Sequence, residues 1–322
     1  MAERPHVHVL LTFDFEEWEG RYRTYEADLY GKTKRVLELL GEHGVPATFF
    51  LDAETVLKYP ETARLLVKGS FELALHSDYH FGVNNSSLRT LDFSRQGSET
   101  QMARMKNAIA MIRQVISDFD PRGFRSPDLR WNEDLYVSLR KLGFLYDSSQ
   151  EDKFVFQPFL KNGIVVFPMN CGDYDSACYK IGARYVVASW MDNFNRAYEA
   201  ATKAGESYFL LLTHPSVSGK YKYIGMLKCI INHVSWSETE YLTCAKLAEH
   251  VLGTRREASH GIRKRGKKPV AVFDKRSANL KELQAGVLQL KKGFEEYKAK
   301  VQKDVEAIKV RSTKRKRNPD VA

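Results

Sequence analysis

The chain has 322 residues, 43% hydrophobic and 12% aromatic, which is enough apolar material for a sizeable core and excludes a disordered protein. Its formal charge of +10 is lopsided: residues 255–322 hold 21 Lys+Arg against 8 Asp+Glu, leaving 29 against 32 elsewhere. An anionic partner is thus implied only for the tail, and no apolar run approaches the ~20 residues needed to span a bilayer.

Val7 to Phe13 is short, β-rich and almost continuously apolar, as expected of a strand buried on both faces. It ends in Asp14-Phe15-Glu16-Glu17-Trp18. A helix is predicted over 32–43, closed by Gly44-Val45-Pro46, and a second strand over 47–51. Residues 53–68 read as helical with an interruption at Pro60, and Phe71 to Leu75 as a third strand that opens into His76-Ser77-Asp78-Tyr79-His80. A long amphipathic helix follows over 94–116. Gly123-Phe124 is a very short strand candidate running into Arg125-Ser126-Pro127. A helix over 132–142 leads to a strand at 143–146 that ends in Asp147-Ser148-Ser149, and 164–167 is a further strand candidate. The pattern between 172 and 191 matches no element. The body closes with a helix at 193–204, a strongly apolar strand at 208–213 before His214-Pro215, and helices at 224–233 and 240–252. Strands alternating with helices imply a mostly parallel sheet, and six or seven such units suit an incomplete or distorted (β/α) barrel. No GxGxxG, P-loop or internal repeat is present, so nucleotide chemistry has no support.

Polar residues fall directly after the apolar strands: Asp14 and Glu16, His76 and His80, Arg125, Asp147 and His214. In a parallel α/β architecture the carboxyl ends of the strands face one rim, so these groups are expected to converge there. Two histidines four apart, with a carboxylate, match the needs of a zinc-type centre that keeps positions open for water and a substrate carbonyl. A second carboxylate can take a proton from the water, a histidine across the cleft can protonate a departing amine, and an arginine can keep the base ionised. Strand alternation puts Asp14 and Glu16 on one face and Glu17 on the other. The chemistry these residue types permit is metal-assisted hydrolysis. Trp18, Tyr79, Trp131 and Trp190 lie near the motifs and can stack either on sugar faces or in the core. Cys171, Cys178, Cys229 and Cys244 form no CxxC pair and read as reduced thiols.

Thr12-Phe13-Asp14, His76-Ser77-Asp78-Tyr79-His80, Arg125-Ser126-Pro127, Tyr146-Asp147-Ser148-Ser149 and Leu212-Thr213-His214-Pro215 resemble, in order, the motifs of the NodB-type polysaccharide deacetylases. The resemblance covers roughly residues 7–250. It implies a distorted (β/α)7 barrel, a divalent ion of the Zn2+ type, and removal of acetyl from an N-acetylated amino sugar. It assigns His76 and His80 as metal ligands, Asp14 as base, His214 as acid, Arg125 as the group orienting the base and Asp147 as the support of His214. Many members have adjacent aspartates in the first motif; here Phe15 follows Asp14, which puts the metal carboxylate on Glu16, with Glu17 as the alternative. Relatives of this type also include hydrolases of small cyclic amides and formamides. The N-terminus has no signal-peptide core. The expected location is therefore cytoplasmic or peripheral to a membrane, and the expected substrate a nucleotide-linked, lipid-linked or soluble oligosaccharide amino sugar.

Beyond the catalytic barrel (1–253), residues 254–276 read as a basic linker and 277–310 as a helix or coiled coil. Leu280, Val287, Phe294, Val301 and Ile308 recur every seven residues, with Leu283, Leu290 and Tyr297 between them. Asp304 breaks the second series, and Gly286 and Gly293 each cost a helix about 1 kcal/mol relative to Ala. Self-association through 280–308 is the expected use. The basic end, 311–322 with Lys314-Arg315-Lys316-Arg317, suits an anionic membrane or nucleic acid. A non-catalytic barrel recruited by this tail is the rival reading.

Overall fold

The computed structural model describes residues 5–16, 28–69, 71–79, 92–173, 183–235 and 238–259. Glu17, Trp18, His80 and Cys178, most of the expected basic linker, and the whole heptad segment and terminal basic cluster lie outside the described residues. Strand β1 (His6–Phe15) is the axis of the fold. Its alternation sends Val7, Val9, Leu11, Phe13 and Phe15 to the core shared with the helices, and Leu10 to a second, inner core. Each such fully buried side chain contributes about 1.5–3 kcal/mol relative to exposure.

The first units follow the expected order: α1 (Leu29–Glu42), β2 (Thr48–Asp52), α2 (Ala53–Lys58), α3 (Pro60–Val67) and β3 (Glu72–Ser77). Asp28 caps α1 by accepting from the Gly31 amide at 2.7 Å, and Asp52 caps α2 through the Thr55 amide at 2.8 Å. Pro60 sits at the first position of α3, which is why one predicted helix becomes two. Then come α4 (Ser98–Arg113), β4 (Gly123–Phe124), α5 (Glu133–Leu142), β5 (Tyr146–Asp147) and a hairpin of β6 (Phe159–Lys161) with β7 (Ile164–Val166). The chain continues through β8 (Cys171–Gly172), α6 (Ala183–Ala204), β9 (Glu206–Thr213), α7 (Pro215–Ser218), α8 (Ile224–Val234), β10 (Thr239–Tyr241) and α9 (Cys244–Ser259).

The sheet runs β6-β7-β5-β4-β3-β2-β1-β9-β8, and every neighbour pair is parallel except the β6–β7 hairpin. β1, β2, β3, β4, β5, β7 and β9 are the seven units of a distorted, open (β/α) barrel with its helices packed outside. Three details differ from the sequence expectation. The predicted helix over 240–252 starts at Cys244, because Thr239–Tyr241 pairs with Val7–Val9 as an extra parallel strand. The segment that matched no element contains β8, whose Gly172 lies opposite Leu212, and the first turns of α6. The last helix also runs on to Ser259, past the boundary expected at 253.

Helix α9 plugs the inner core at the amino ends of the strands. Cys244, Leu247 and Ala248 pack among Leu10, Phe50, Tyr146, Tyr208 and Leu210. Its first turn is fixed from within the sheet: Cys244 N donates to Thr48 Oγ1 at 3.0 Å and Ala245 N to Glu72 Oε2 at 2.9 Å. Burial pushes the Glu72 carboxyl above its ordinary value, while the Ala245 amide, Tyr146 hydroxyl and Thr48 hydroxyl pull the other way. Gly123 has no alternative residue here, since a Cβ would lie 1.8 Å from the Tyr146 ring. The barrel is therefore sealed below and polar above. Cys171, Cys229 and Cys244 are free thiols, and no described helix is long and apolar enough to cross a membrane.

Candidate active site

The upper rim is built by residues just past the strand ends. Asp14 and Glu16 leave β1 on the same side, both almost fully buried. Arg125, immediately after β4, has 0% exposure. Its Nη1 donates to Asp14 Oδ1 at 2.6 Å, Nη2 to Thr12 Oγ1 and Ser148 Oγ at 2.9 Å each, and its plane lies 4.1 Å from the centre of the Phe50 ring. A guanidinium held on every side can face only one way, so the carboxylate it pairs with is held in one orientation.

His76 is the last but one residue of β3. Its Nδ1 lies 2.7 Å from the Arg125 carbonyl, which can only accept, so Nδ1 carries the proton and Nε2 presents its lone pair to Glu16 Oε2 at 2.9 Å when the ring is neutral. This is how metal-binding imidazoles are commonly held, with the second nitrogen tied to a carbonyl. Glu16 and His76 therefore fit a divalent ion as one oxygen and one nitrogen donor. Burial disfavours a charged His76, but Asp14 and Glu16 outweigh it and raise the ring's pKa, as a site built for positive charge would. The following loop is anchored by Asp78, which takes both Arg104 Nε (3.0 and 3.1 Å) and Nη2, while Arg104 rests on the Phe93 ring.

His214, immediately after β9, faces the same carboxylate: its Nε2 lies 3.3 Å from Glu16 Oε1. Its Nδ1 meets Asp173 Oδ1 at 2.8 Å, and its backbone amide donates to Asp173 Oδ2, also at 2.8 Å. Burial opposes the imidazolium, yet Asp173 and then Glu16 raise the His214 pKa well above its ordinary value. Asp173 follows the two-residue strand β8, in the stretch whose sequence pattern matched no element, so no periodicity marked it; the only signal was its carboxylate close after Gly172.

Asp147 does not support His214, a correction to the expectation. It is fully buried behind Arg125, capped by the Ser149 amide (3.2 Å) and hydroxyl and by Tyr136 OH (3.1 Å), and burial pushes it up to about 6. The reason is positional. β5 lies five strands from β9, the strand that ends at His214, whereas β8 is its direct neighbour. Asp52 is a further rim carboxylate that the sequence did not single out. Burial pushes it up to about 7, and both His76 and Glu16 act on its charge. Among the aromatics, Trp190 is core, donating to the Gly172 carbonyl at 3.1 Å, and Trp131 packs on Tyr136; Tyr79 is exposed beside the loop.

The pairing of His214 with Asp173 carries a prediction. Asp173→Asn keeps the shape but removes the charge that holds the proton, so turnover is expected to fall by about 10²-fold or more with substrate affinity little changed. Steady-state kinetics check it, and an unchanged kcat would remove Asp173 from the acid's support.

Residues 2–146 match the family model for polysaccharide deacetylases. A peptidoglycan deacetylase-like protein of Gibberella zeae is 24% identical over 77% of this chain and 87% of its own length. A chitooligosaccharide deacetylase of a Bradyrhizobium species is 31% identical over 34% of this chain and 46% of its own, so the match spans about half of that relative. Among solved structures, one described as a polysaccharide deacetylase from Mycobacterium smegmatis superposes with a TM-score of 0.60 at 19% identity, covering 84% of this chain and 96% of that one. The PuuE allantoinase superposes at 0.63 and 16% identity, covering 82% and 94%. The fold thus serves more than one amide chemistry. In its motif order, its rim and its matched sequence, the chain is similar to the NodB-type polysaccharide deacetylases.

Proposed function

We propose that the protein hydrolyses the acetamide of an N-acetylated amino sugar, releasing acetate and a free amine. The observation that carries this reading is the opposition of two charge pairs, Asp14–Arg125 and His214–Asp173, across the Glu16–His76 edge. Asp14, oriented by the bond from Arg125 Nη1, accepts a proton from the attacking water. His214, kept protonated by Asp173, gives one to the departing nitrogen. Hydrolysis of an amide needs both transfers, because neither hydroxide nor an amide anion is available at neutral pH. The ion would be held by Glu16, His76 and His80, the last four residues beyond His76 in the sequence and outside the described residues. When bound, a divalent ion, Zn2+ in the first instance, supplies Lewis acidity toward the amide oxygen and lowers the pKa of water. Burial of Asp14, Glu16 and His76 strengthens each of these interactions relative to water.

The substrate class follows the sequence relatives, a chitooligosaccharide deacetylase and a peptidoglycan deacetylase-like protein. An exposed Tyr79 beside the rim offers a face for a pyranose ring. The test is acetate release from N-acetylglucosamine oligomers and from nucleotide-linked N-acetylated sugars, before and after chelation and zinc addition. His76→Ala is expected to lose one equivalent of divalent metal per chain and to drop acetate release to background, read by elemental analysis and coupled acetate assay. Retention of both metal and turnover would overturn the metal assignment. Zinc-restored wild-type enzyme that releases no acetate from any of these donors would overturn the substrate class.

A further inference from the structure

At the opposite end of the barrel, where the strands begin, a second group of histidines and carboxylates meets. We propose that His8 on β1, Glu206 at the start of β9 and His250 on α9 form a structural binding site for one zinc-class divalent ion, with Glu240 on β10 orienting His8. The site is separate from the rim: β1 alone places His8 six residues, about 20 Å, from Asp14.

The observations are geometric. The ligand atoms of His8, Glu206 and His250 all lie within 4.8 Å of one another. His8 Nε2 is 3.5 Å from Glu206 Oε2, and His250 Nε2 is 3.6 Å from the same oxygen. Ligands bound tetrahedrally at zinc distances stand about 3.4 Å apart, so this spacing is that of donors around an ion and wider than a typical hydrogen bond between them. His8 is 7% exposed, and neither of its ring nitrogens has a hydrogen-bond partner. Burying an imidazole with both nitrogens unsatisfied costs free energy unless something else binds there. On its other side, His8 Nδ1 stands 3.6 Å from Glu240 Oε2, too far for a direct hydrogen bond but near enough for the carboxylate to draw in and orient the ring once an ion sits on Nε2. His8, Glu206 and His250 also line one cleft of about 140 Å³, leaving room for a water as fourth ligand.

Two imidazoles and a carboxylate suit Zn2+, or Co2+ in its place, over Ca2+ or Mg2+, which favour all-oxygen shells. The position explains what such an ion would do. His8 and Glu206 are on paired strands, whereas His250 is on the plug helix, which is attached to the barrel by apolar packing, the two bonds at its first turn and the Arg122–Glu249 ion pair at 3.4 Å. An ion there rivets the plug to the barrel floor.

The experiment uses full-length protein stripped by chelator and titrated with ZnCl2, with bound equivalents read after desalting and melting temperature read with and without zinc. Wild type is expected to bind two equivalents, His76→Ala one, and His76→Ala with His250→Ala none, the zinc-dependent rise in melting temperature persisting in the first variant and vanishing in the second. In the His76→Ala background, Glu240→Gln is expected to weaken the remaining ion by about 10–100-fold, and His6→Ala to leave it bound, since His6 faces Glu240 and not Glu206. His250 and Glu206 are surface-accessible, so His250→Ala and Glu206→Gln in otherwise wild-type protein provide folded controls, each expected to bind one equivalent and to keep rim chemistry. If His250→Ala binds as many equivalents as its parent, or if His6→Ala and not His250→Ala removes the ion, the proposal is overturned. A wild-type protein that holds this floor ion and releases no acetate would count against the rim reading alone.

Discussion

Asp14→Asn is expected to lower kcat for acetate release by about 10²–10⁴-fold while metal content stays at the wild-type value. The asparagine occupies the same volume and still accepts from Arg125 Nη1, now 2.6 Å from Asp14 Oδ1, but it cannot take a proton from water. Because Glu16 and His76 are untouched, the ion stays. The separation of metal content from turnover is the informative part: a metal ligand would lose both, a base only the second. Steady-state kinetics with elemental analysis of the same preparation decides it, and turnover near wild type would mean that another group is the base. The wild-type ion pair is buried, so some loss of melting temperature accompanies the substitution, and kinetics should be run well below the new midpoint.

Arg125→Met is expected to have the largest effect on stability, about 3–5 kcal/mol by the usual cost of removing one partner from a buried ion pair. Methionine fills much of the volume over the Phe50 ring. It leaves the Asp14 carboxylate without a counter-charge and removes donors to Thr12 Oγ1, Ser148 Oγ and the Ser148 carbonyl. The hydroxyls partly recover through their own bonds to the Leu211 and Phe167 carbonyls; Asp14 does not. Urea unfolding at neutral pH is the measurement, with the midpoint read at constant m-value. A change below about 1 kcal/mol would show that solvent reaches this pair and that its burial has been overestimated. Turnover should fall as well, since the base loses the group that orients it.

The parts of this site legible in the sequence share one property: each sits at the end of a long or strongly apolar strand. Asp14 and Glu16 flank the end of the ten-residue β1, His214 follows eight residues of β9, and His76 is the last but one residue of β3. A run of that length announces both its direction and its end, so the polar residue after it can be placed on the rim. Arg125 was legible despite a two-residue strand because the motif around it, Arg-Ser-Pro, is distinctive. Asp173 had neither advantage. Cys171–Gly172 is too short to show a period, and the pairing that makes it a strand comes from β9, forty residues on in the chain. Asp147 was misassigned for the converse reason: its neighbourhood reads as a strand end, but the strand order puts Tyr136 and Ser149 against it. The helix expected from residue 240 failed likewise, since its first residues complete a parallel ladder with Val7–Val9 that local pattern cannot reveal.

The amino-acid sequence by itself determined the α/β class, the apolar strands, and the identity of most groups at their ends, because periodicity and strand polarity are local properties. Only the tertiary structure decided which carboxylate serves which imidazole, that α9 closes the barrel floor, and that His8, Glu206 and His250 meet there. Those are matters of which strand lies beside which, and neighbourhood in a sheet is set by packing of segments distant in the chain.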